Sequence, residues 1–182
     1  MRFDAHPQLG LAGATAALSL GCAPIPVPLR QKKPTIERWP DLRLTGANLS
    51  RYFSGNENCG VLNGAPSGGL VDVDLDAPEV LAVSNAFLPR TNLVFGRPTK
   101  PRAHREYRVQ GAPPRTAQFR DTEGTMLVEL RATGSQTLWP GSMHPDGELI
   151  RFDSVGAPEL VNATDLAVAV AHVAASSLLA RH

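Results

Sequence analysis

The segment LVDVDLD, residues 70–76, places three aspartates two positions apart inside a run that otherwise resembles a buried β-strand. Side chains alternate across a strand, so Asp72, Asp74 and Asp76 share one face and Val71 points to the other. Aspartate is disfavoured in strands, and like charges on one face repel each other. Carboxylate oxygens bind Mg²⁺ or Mn²⁺, which would compensate this charge. We therefore predict a metal site here; a solvent-facing acidic strand is the alternative.

A further carboxylate lies in the segment TMLVELRA, which is also predicted to be a strand. Glu129 shares a face with Arg131 and sits in an apolar run, where an unpaired acid is unfavourable to bury. Facing Asp72 and Asp74 from a neighbouring strand, Glu129 would complete a set of three carboxylates. Such a set can hold one or two Mg²⁺ ions that activate a hydroxyl and neutralise a leaving pyrophosphate. A surface pair of Glu129 with Arg131 is the alternative.

The segment KPRAHREYRV is predicted to be a strand rich in bases. By alternation, Arg102, His104 and Glu106 share a face, and Lys100 lies just before them. A histidine among bases suits a triphosphate, which is anionic and geometrically demanding. A solvated basic edge strand is the alternative interpretation.

Two loops carry further candidates for contacts with a nucleotide or a nucleic acid. Ser142 and His144 lie in WPGSMHPDGE, between two turns, and could contact a phosphate or a sugar. A serine hydrolase is not indicated, because the GxSxG motif is absent. Lys32 and Lys33 lie in a basic loop and could supply charge to a nucleotide or to nucleic acid. For both loops the alternative is simple exposure to solvent.

Composition limits the class of protein. The chain has 182 residues, 42% of them hydrophobic, which suits one domain or two small lobes. A net charge of +1 excludes a generally basic surface for nucleic acid. Two cysteines, Cys22 and Cys59, without a CxxC motif, cannot form a zinc site alone and indicate reduced cytosolic thiols. No apolar run of about 18 residues is visible, which predicts that no helix spans a membrane.

The patterns predict an α+β domain whose sheet carries the acids. Residues 7–20 are predicted to form a helix, opened by Pro7, with Leu9, Ala12, Ala16 and Leu20 on one face. Further helices are expected over residues 77–87 and from Asn162 or Thr164 onward. A hairpin is expected at Asp146-Gly147.

The order of these segments resembles the primase-polymerase (prim-pol) domain of the archaeo-eukaryotic primase superfamily, which occurs in plasmids, phages and mobile elements. The resemblance covers about residues 9–155, and its most specific parts are PSGGLVDVD and PGSMHPDG. In that family an acid-x-acid pair on a strand is matched here by Asp72 and Asp74. A strand histidine that binds the nucleotide phosphates is matched by His104, and an acid that completes the metal site is matched by Glu129.

The resemblance implies a single domain over residues 1–182, with a small α/β lobe packed on an RRM-like lobe. The sheet would be mixed or antiparallel, with the site between the lobes. The implied activity is template-dependent nucleotidyl transfer by a DNA primase or polymerase in the cytoplasm, with Mg²⁺ or Mn²⁺. Nucleoside triphosphates, single-stranded or primed DNA and a fused or separate helicase are the implied partners, and a membrane is not. Nucleotide binding is assigned to Lys100, Arg102, His104, Arg131, Ser142 and His144, and template binding to Lys32, Lys33, Arg115 and Arg120.

Two other functions remain open. A metal-dependent nuclease or replication initiator would need a His-x-His pair or a tyrosine nucleophile, and the chain has no such pair and only Tyr52 and Tyr107. A non-catalytic, nucleotide-binding primase relative would bind nucleotide with an ion and not turn it over.

Overall fold

The computed structural model describes residues 9–181, which form an α+β fold. The helices are α1 (Leu9–Ser19), α2 (Leu49–Tyr52), α3 (Pro78–Phe87) and α4 (Ala163–Arg181). The strands are β1 (Ala23–Val27), β2 (Asn58–Leu62), β3 (Leu70–Leu75), β4 (Val94–Arg97), β5 (Lys100–Gln110), β6 (Ala117–Arg120), β7 (Met126–Arg131), β8 (Gln136–Leu138), β9 (Arg151–Ser154) and β10 (Glu159–Asn162). Pro7, the expected start of the first helix, lies outside the described residues.

The strands form two sheets. The small sheet has the order β1-β2-β8 and is antiparallel. The large sheet has the order β6-β7-β3-β5-β4-β9 and is antiparallel along this path, while β10 joins β5 in parallel. The prediction of an α+β fold with a mixed sheet is therefore confirmed, and the likeness of the large lobe to an RRM stays an expectation.

Strand β3 lies at the centre of the large sheet, with β5 on one edge and β7 on the other, and all of its residues are buried. Val71, Val73 and Leu75 pack into the core that α3 and α4 cover. Leu70 faces the opposite side, where it packs with α1, the small sheet and Trp139. The predicted alternation is thus correct, and it places Asp72 and Asp74 on the face that meets the small sheet.

Helix α1 packs through its smallest residues. The buried positions are Gly10, Gly13, Ala14 and Ala17, so the side of the helix that packs is not the face of Leu9, Ala12, Ala16 and Leu20. The reason is close backbone contact: a Cβ built on Gly13 would lie 2.5 Å from the carbonyl oxygen of Pro140. Glycine allows this approach because it has no Cβ. A pattern of hydrophobic residues cannot predict such a backbone contact.

Helix α4 is, among residues 9–181, the one helix that could cross a membrane by length and composition, with a mean hydropathy of 1.5. The sequence-based prediction had found no apolar run long enough to span a membrane, and it therefore missed the length and composition of α4. In the fold, α4 packs against α3 and β7 and buries Leu166, Val170 and Val173 in the core. Only 28% of the apolar window is buried, so α4 joins the core along one face and leaves much of its surface exposed.

The expected turn at Asp146-Gly147 is present, since the amide of His144 donates to the carbonyl of Glu148 over 2.8 Å. Both cysteines are buried and form no disulfide in the described chain. Burial raises the pKa of the Cys22 thiol to about 12, so Cys22 is not an activated nucleophile.

Candidate active site

The register of three adjacent strands places charged side chains in two rows on the inner face of the large sheet. Asp74 on β3 lies opposite His104 on β5 and Glu129 on β7. The second row consists of Glu106, Asp72 and Arg131. Because directly paired residues have neighbouring side chains, the strand register alone assembles this cluster from distant parts of the chain.

Arg131 compensates most of the negative charge in these rows. Its guanidinium contacts Oδ2 of Asp74 at 2.6 Å and Oε2 of Glu129 at 2.7 Å, and lies 3.6 Å from Oδ2 of Asp72. Burial disfavours the charged guanidinium, but the carboxylates of Asp74, Asp72 and Glu129 outweigh burial and raise the pKa of Arg131. An arginine therefore neutralises the acids of LVDVDLD in this structure.

His104 is the second positive group beside the acids. Its Nδ1 lies 3.0 Å from Oδ2 of Asp72 and 3.8 Å from Oδ1 of Asp74, and its ring stacks on Phe95. Burial lowers the pKa of His104, but the carboxylates of Asp74 and Asp72 outweigh burial and raise it. Since Nδ1 is bonded to Asp72, Nε2 is the nitrogen left for a ligand.

A cavity of about 350 Å³ opens beside these rows, at the junction of the two sheets. It is a mixed-charge cavity, with acids at its floor and cations around it. The charged and histidine side chains that line it are Lys32, Lys33, Asp74, Asp76, Arg97, Lys100, His104, Glu129, Arg131 and His144. Lys32 is close enough to lower the pKa of both Asp74 and His144. Eight residues proposed from the sequence thus meet in one cavity: Lys32, Lys33, Asp74, Lys100, His104, Glu129, Arg131 and His144.

Other predicted residues lie elsewhere. Ser142 is fully buried, and its hydroxyl bonds the backbone of Cys59 as donor and as acceptor, 2.9 Å in each case. It fixes the turn after Trp139 and does not line the cavity, which corrects its assignment to phosphate or sugar. Arg102 is exposed, because a left-handed backbone (φ 56°) interrupts the alternation of β5, and it does not share the cavity face with His104.

The two predicted basic patches are also separated. Lys32 and Lys33 line the cavity, whereas Arg115 and Arg120 lie on or just before edge strand β6, away from its lining. Arg120 is bonded locally to the carbonyl of Gly124 at 2.8 Å. Of the four bases proposed for the template, the cavity thus gathers Lys32 and Lys33.

Several polar groups of the site were not assigned from the sequence. Glu106 is completely buried, and within residues 9–181 neither of its carboxylate oxygens has a hydrogen-bond partner. Burial and the nearby charge of Asp72 raise the pKa of Glu106 well above its usual range, which favours the neutral form of this side chain. The alternation of β5 had placed Glu106 on the face of His104, and the structure confirms that placement. Thr137 bonds Asp72 directly and carried no signal in the sequence.

The carboxylates can be tested for their fit to a divalent cation. Their donor oxygens are the type that Mg²⁺ and Mn²⁺ prefer, and Oδ1 of Asp72 is buried without a partner in the described chain. The expected three-carboxylate arrangement is not preformed, however. No group of three acid, histidine or cysteine side chains among the described residues is disposed to hold a metal ion. Arg131 instead contacts one oxygen of Asp74 and one oxygen of Glu129.

The chain belongs to the bifunctional DNA primase/polymerase N-terminal family, which matches residues 14–162. The match spans most of the chain and confirms the resemblance found in the motifs. Membership supports DNA primase or polymerase activity in general and implies nucleotide and DNA substrates, and the family generally uses divalent metal ions. No curated protein matches the chain.

Proposed function

We propose that the chain carries out template-dependent nucleotidyl transfer as a DNA primase or polymerase in the replication of a plasmid, phage or mobile element. One observation carries the proposal: strand register places His104, Asp74 and Glu129 in one row beside a cavity ringed by cations. The proposal includes action in the cytoplasm and cooperation with a fused or separate helicase.

The cations of the cavity are suited to bind the triphosphate. His104 offers Nε2 while Asp72 holds its Nδ1, and the raised pKa of His104 favours the protonated, phosphate-binding form. Lys100 lies nearby and is held at 2.5 Å by Asp76. Lys32 lines the same cavity, and its charge lowers the pKa of both Asp74 and His144. Charge-assisted bonds of this kind bind phosphate strongly and directionally.

Asp72, Asp74 and Glu129 are the residues that would hold divalent ions. When bound, such ions would polarise the attacking hydroxyl and neutralise the leaving pyrophosphate. The carboxylates are suited to this role because the pKa of Asp74, which burial tends to raise, is lowered overall by the charges of His104 and Arg131. Asp74 therefore stays ionised.

Contacts with the template are proposed for Lys33 at the mouth of the cavity, with Arg115 and Arg120 as separate surface contacts. The net charge of the whole chain is only +1, so few phosphates can be neutralised at once. Binding of DNA by this chain alone should be weak and should weaken further with added salt.

Primer extension tests the proposed activity. We expect the wild-type chain to extend a primed DNA template with dNTPs and Mg²⁺ or Mn²⁺. An Asp72→Asn/Asp74→Asn variant should lose at least about a hundredfold in rate, because it removes the acid-x-acid pair, of which Asp74 lines the cavity. Glu123→Gln, which removes an exposed carboxylate outside the cavity, is the matched control and should keep full activity. Absence of extension by the wild type with both ions would contradict the proposal.

A second candidate function is nucleotide binding without turnover. The contacts of Arg131 with Asp74 and Glu129 favour it, because they occupy the oxygens that an ion would need. Equilibrium binding of a labelled dNTP, with and without Mn²⁺, separates the two functions. Binding that is retained by a chain unable to extend primers would select this second candidate.

A further inference from the structure

One cation of the cavity, Lys32, lies in a loop that makes few bonds of its own. The loop follows β1, and residues 32–35 make no backbone–backbone hydrogen bond within the described part of the chain. Lys32 nevertheless lines the cavity, and its charge lowers the pKa of both Asp74 and His144. A lysine on a free loop has many accessible positions, and fixing one of them costs conformational entropy. The loop therefore needs an outside contact to keep Lys32 at the cavity.

Gln136 supplies that contact from the small sheet. It lies at the start of β8, and its Nε2 donates to the backbone carbonyl of Lys32 over 2.6 Å, between residues 104 positions apart. A carbonyl oxygen only accepts, so the nitrogen of the Gln136 amide and not its oxygen faces Lys32. A longer bond, from Nδ2 of Asn58 to the carbonyl of Gln31 at 3.4 Å, holds the preceding residue. Gln136 makes the shorter of the two contacts, and makes it at Lys32 itself.

A glycine in the middle strand of the small sheet lets Gln136 reach this loop. Strand β2 lies between β8 and β1, so the side chain of Gln136 passes over β2. It does so at Gly60, where a Cβ would lie 2.5 Å from Oε1 of Gln136 and 3.1 Å from Cγ2 of Val27. This Oε1 is buried and has no hydrogen-bond partner within residues 9–181. Packing over Gly60 and the bond to Lys32 together set the position of the amide.

We propose that Gln136 is a positioning residue, which holds the backbone of Lys32 so that the lysine ammonium faces the triphosphate of the incoming nucleotide; this inference rests on the proposed function. Gln136 acts through Lys32 and does not itself touch the nucleotide in this role. Charge-assisted bonds to phosphate depend on where the donor lies, so a displaced ammonium binds less tightly. Gln136 should therefore contribute to nucleotide affinity only while Lys32 is present.

A double-mutant cycle between Gln136 and Lys32 tests this role. Gln136→Met keeps the length of the side chain and removes its donor, and Lys32→Gln removes the charge. Affinity for a labelled dNTP is measured at equilibrium, and primer extension gives kcat and the KM for dNTP. We expect Gln136→Met to weaken dNTP binding and raise KM by about three- to tenfold, the usual effect of one lost hydrogen bond, with kcat changed less than about twofold. In the Lys32→Gln background, the same substitution should leave dNTP affinity unchanged.

Gln110→Met is the matched control, because it makes the same change at an exposed position at the end of β5, outside the lining of the cavity. Its dNTP affinity should equal that of the wild type. Affinity for primed DNA should also stay at the wild-type value in Gln136→Met. A variant that loses DNA affinity and keeps dNTP affinity would assign the loop to the template and overturn the inference.

Should Gln136→Met fail to fold, Gly60→Ala displaces the same amide by packing and should weaken dNTP binding to a similar degree. Equal dNTP affinity in the Gln136 variant and the wild type overturns the inference, as does a wild type that binds no dNTP. An equal loss with and without Lys32 also overturns it, since general loosening of the small sheet would produce that result. If the wild type binds dNTP but extends no primer, the proposed function fails and the binding cycle alone decides the role of Gln136.

Discussion

Arg131 is the residue on which the charge balance of the site depends. It contacts Asp74 and Glu129 at hydrogen-bond distance and approaches Asp72, and its side chain is only 23% exposed. Two of these three carboxylates, Asp72 and Asp74, belong to buried residues. Unpaired charges in such a place are strongly unfavourable. The guanidinium therefore holds the site together when no divalent ion does.

The variant Arg131→Gln tests this role. We expect it to lower the free energy of unfolding by about 3–5 kcal/mol, because the buried carboxylates lose their principal counter-charge. Millimolar Mg²⁺ should raise the melting temperature of the variant more than that of the wild type, since a ligand that binds only the native state stabilises it. Calorimetric melting with and without Mg²⁺ measures both effects.

Arg115→Gln is the control for Arg131→Gln, because it removes an exposed arginine from the segment before β6 and should melt like the wild type. A variant at Arg131 that is destabilised but indifferent to Mg²⁺ would show that the carboxylates cannot exchange the guanidinium for a cation. That outcome would favour nucleotide binding without metal-dependent turnover.

For single residues, the sequence correctly predicted the sheet face of those side chains whose direction follows from strand alternation. Asp72, Asp74 and Glu129 were placed correctly on one face because each lies in a regular strand flanked by apolar residues. Arg102 and Ser142 were not, since their directions depend on a left-handed residue in β5 and on a bond to Cys59 from a distant segment. Neither determinant is visible in the local sequence. The contacts of Arg131 and Thr137 depend on tertiary placement in the same way.

At the scale of elements, the position of α1 depends on close contacts between its glycines and the backbone of neighbouring segments. Gly10 and Gly13 lie against the carbonyl groups of Glu57 and Pro140, so the helix contacts the strand and turn that carry Cys59 and Trp139 without intervening side chains. The extent of the helix was predictable from its alanines and from Gly21. Its buried face was not, because a pattern of apolar side chains does not show where the backbone itself makes the contact.

Gly13→Ala tests this packing. A Cβ at this position would lie 2.5 Å from the carbonyl oxygen of Pro140, which is backbone and cannot rotate away. We expect a loss of about 1–3 kcal/mol in the free energy of unfolding, the usual effect of overpacking a tight core. Denaturant titration followed by circular dichroism measures it. Gly46→Ala is the matched control, since a Cβ there meets nothing within 4 Å; equal stability of the two variants would refute the close packing of α1.

Two strands, β6 and β10, were absent from the sequence-based assignment. Each has only four residues, and both lie in stretches rich in proline or charge. Their partners supply what their own sequences lack: β6 pairs with β7, and β10 pairs with the C-terminal half of β5. Short strands of this kind form because an existing sheet edge offers hydrogen bonds, which is a property of the neighbouring strand.

For the whole molecule, α4 links parts of the fold that are far apart in the sequence. It lies beyond the residues that match the family, packs on α3 and β7, and ends at Arg181. Arg181 donates from Nε to Glu79 on α3 at 2.7 Å and also contacts Asp121 in the turn between β6 and β7. This cluster of three charges connects the end of α4 to α3 and to the turn between β6 and β7 in the large sheet.

The cluster makes stability depend on pH in a definite direction. The bonds of Arg181 lower the pKa of Glu79, and for Asp121 the amides of Thr125 and Glu123 together with Arg181 outweigh burial and lower the pKa as well. A carboxyl group whose pKa is lower in the folded state stabilises the fold above its unfolded value, roughly 4. That contribution is lost as the pH falls through the folded pKa.

Arg181→Gln should therefore melt below the wild type by about 2–4 °C at pH 7, and the difference should shrink as the pH falls below about 4 and through the folded pKa of the two carboxyl groups. The reason is that protonated Glu79 and Asp121 no longer distinguish arginine from glutamine. Melting temperatures of both proteins across this range give the result, with Arg115→Gln as a surface control whose difference from the wild type should stay near zero throughout. A deficit of Arg181→Gln that persists unchanged at pH 3 would mean that Arg181 stabilises α4 through packing of its methylene chain and not through its two ion pairs.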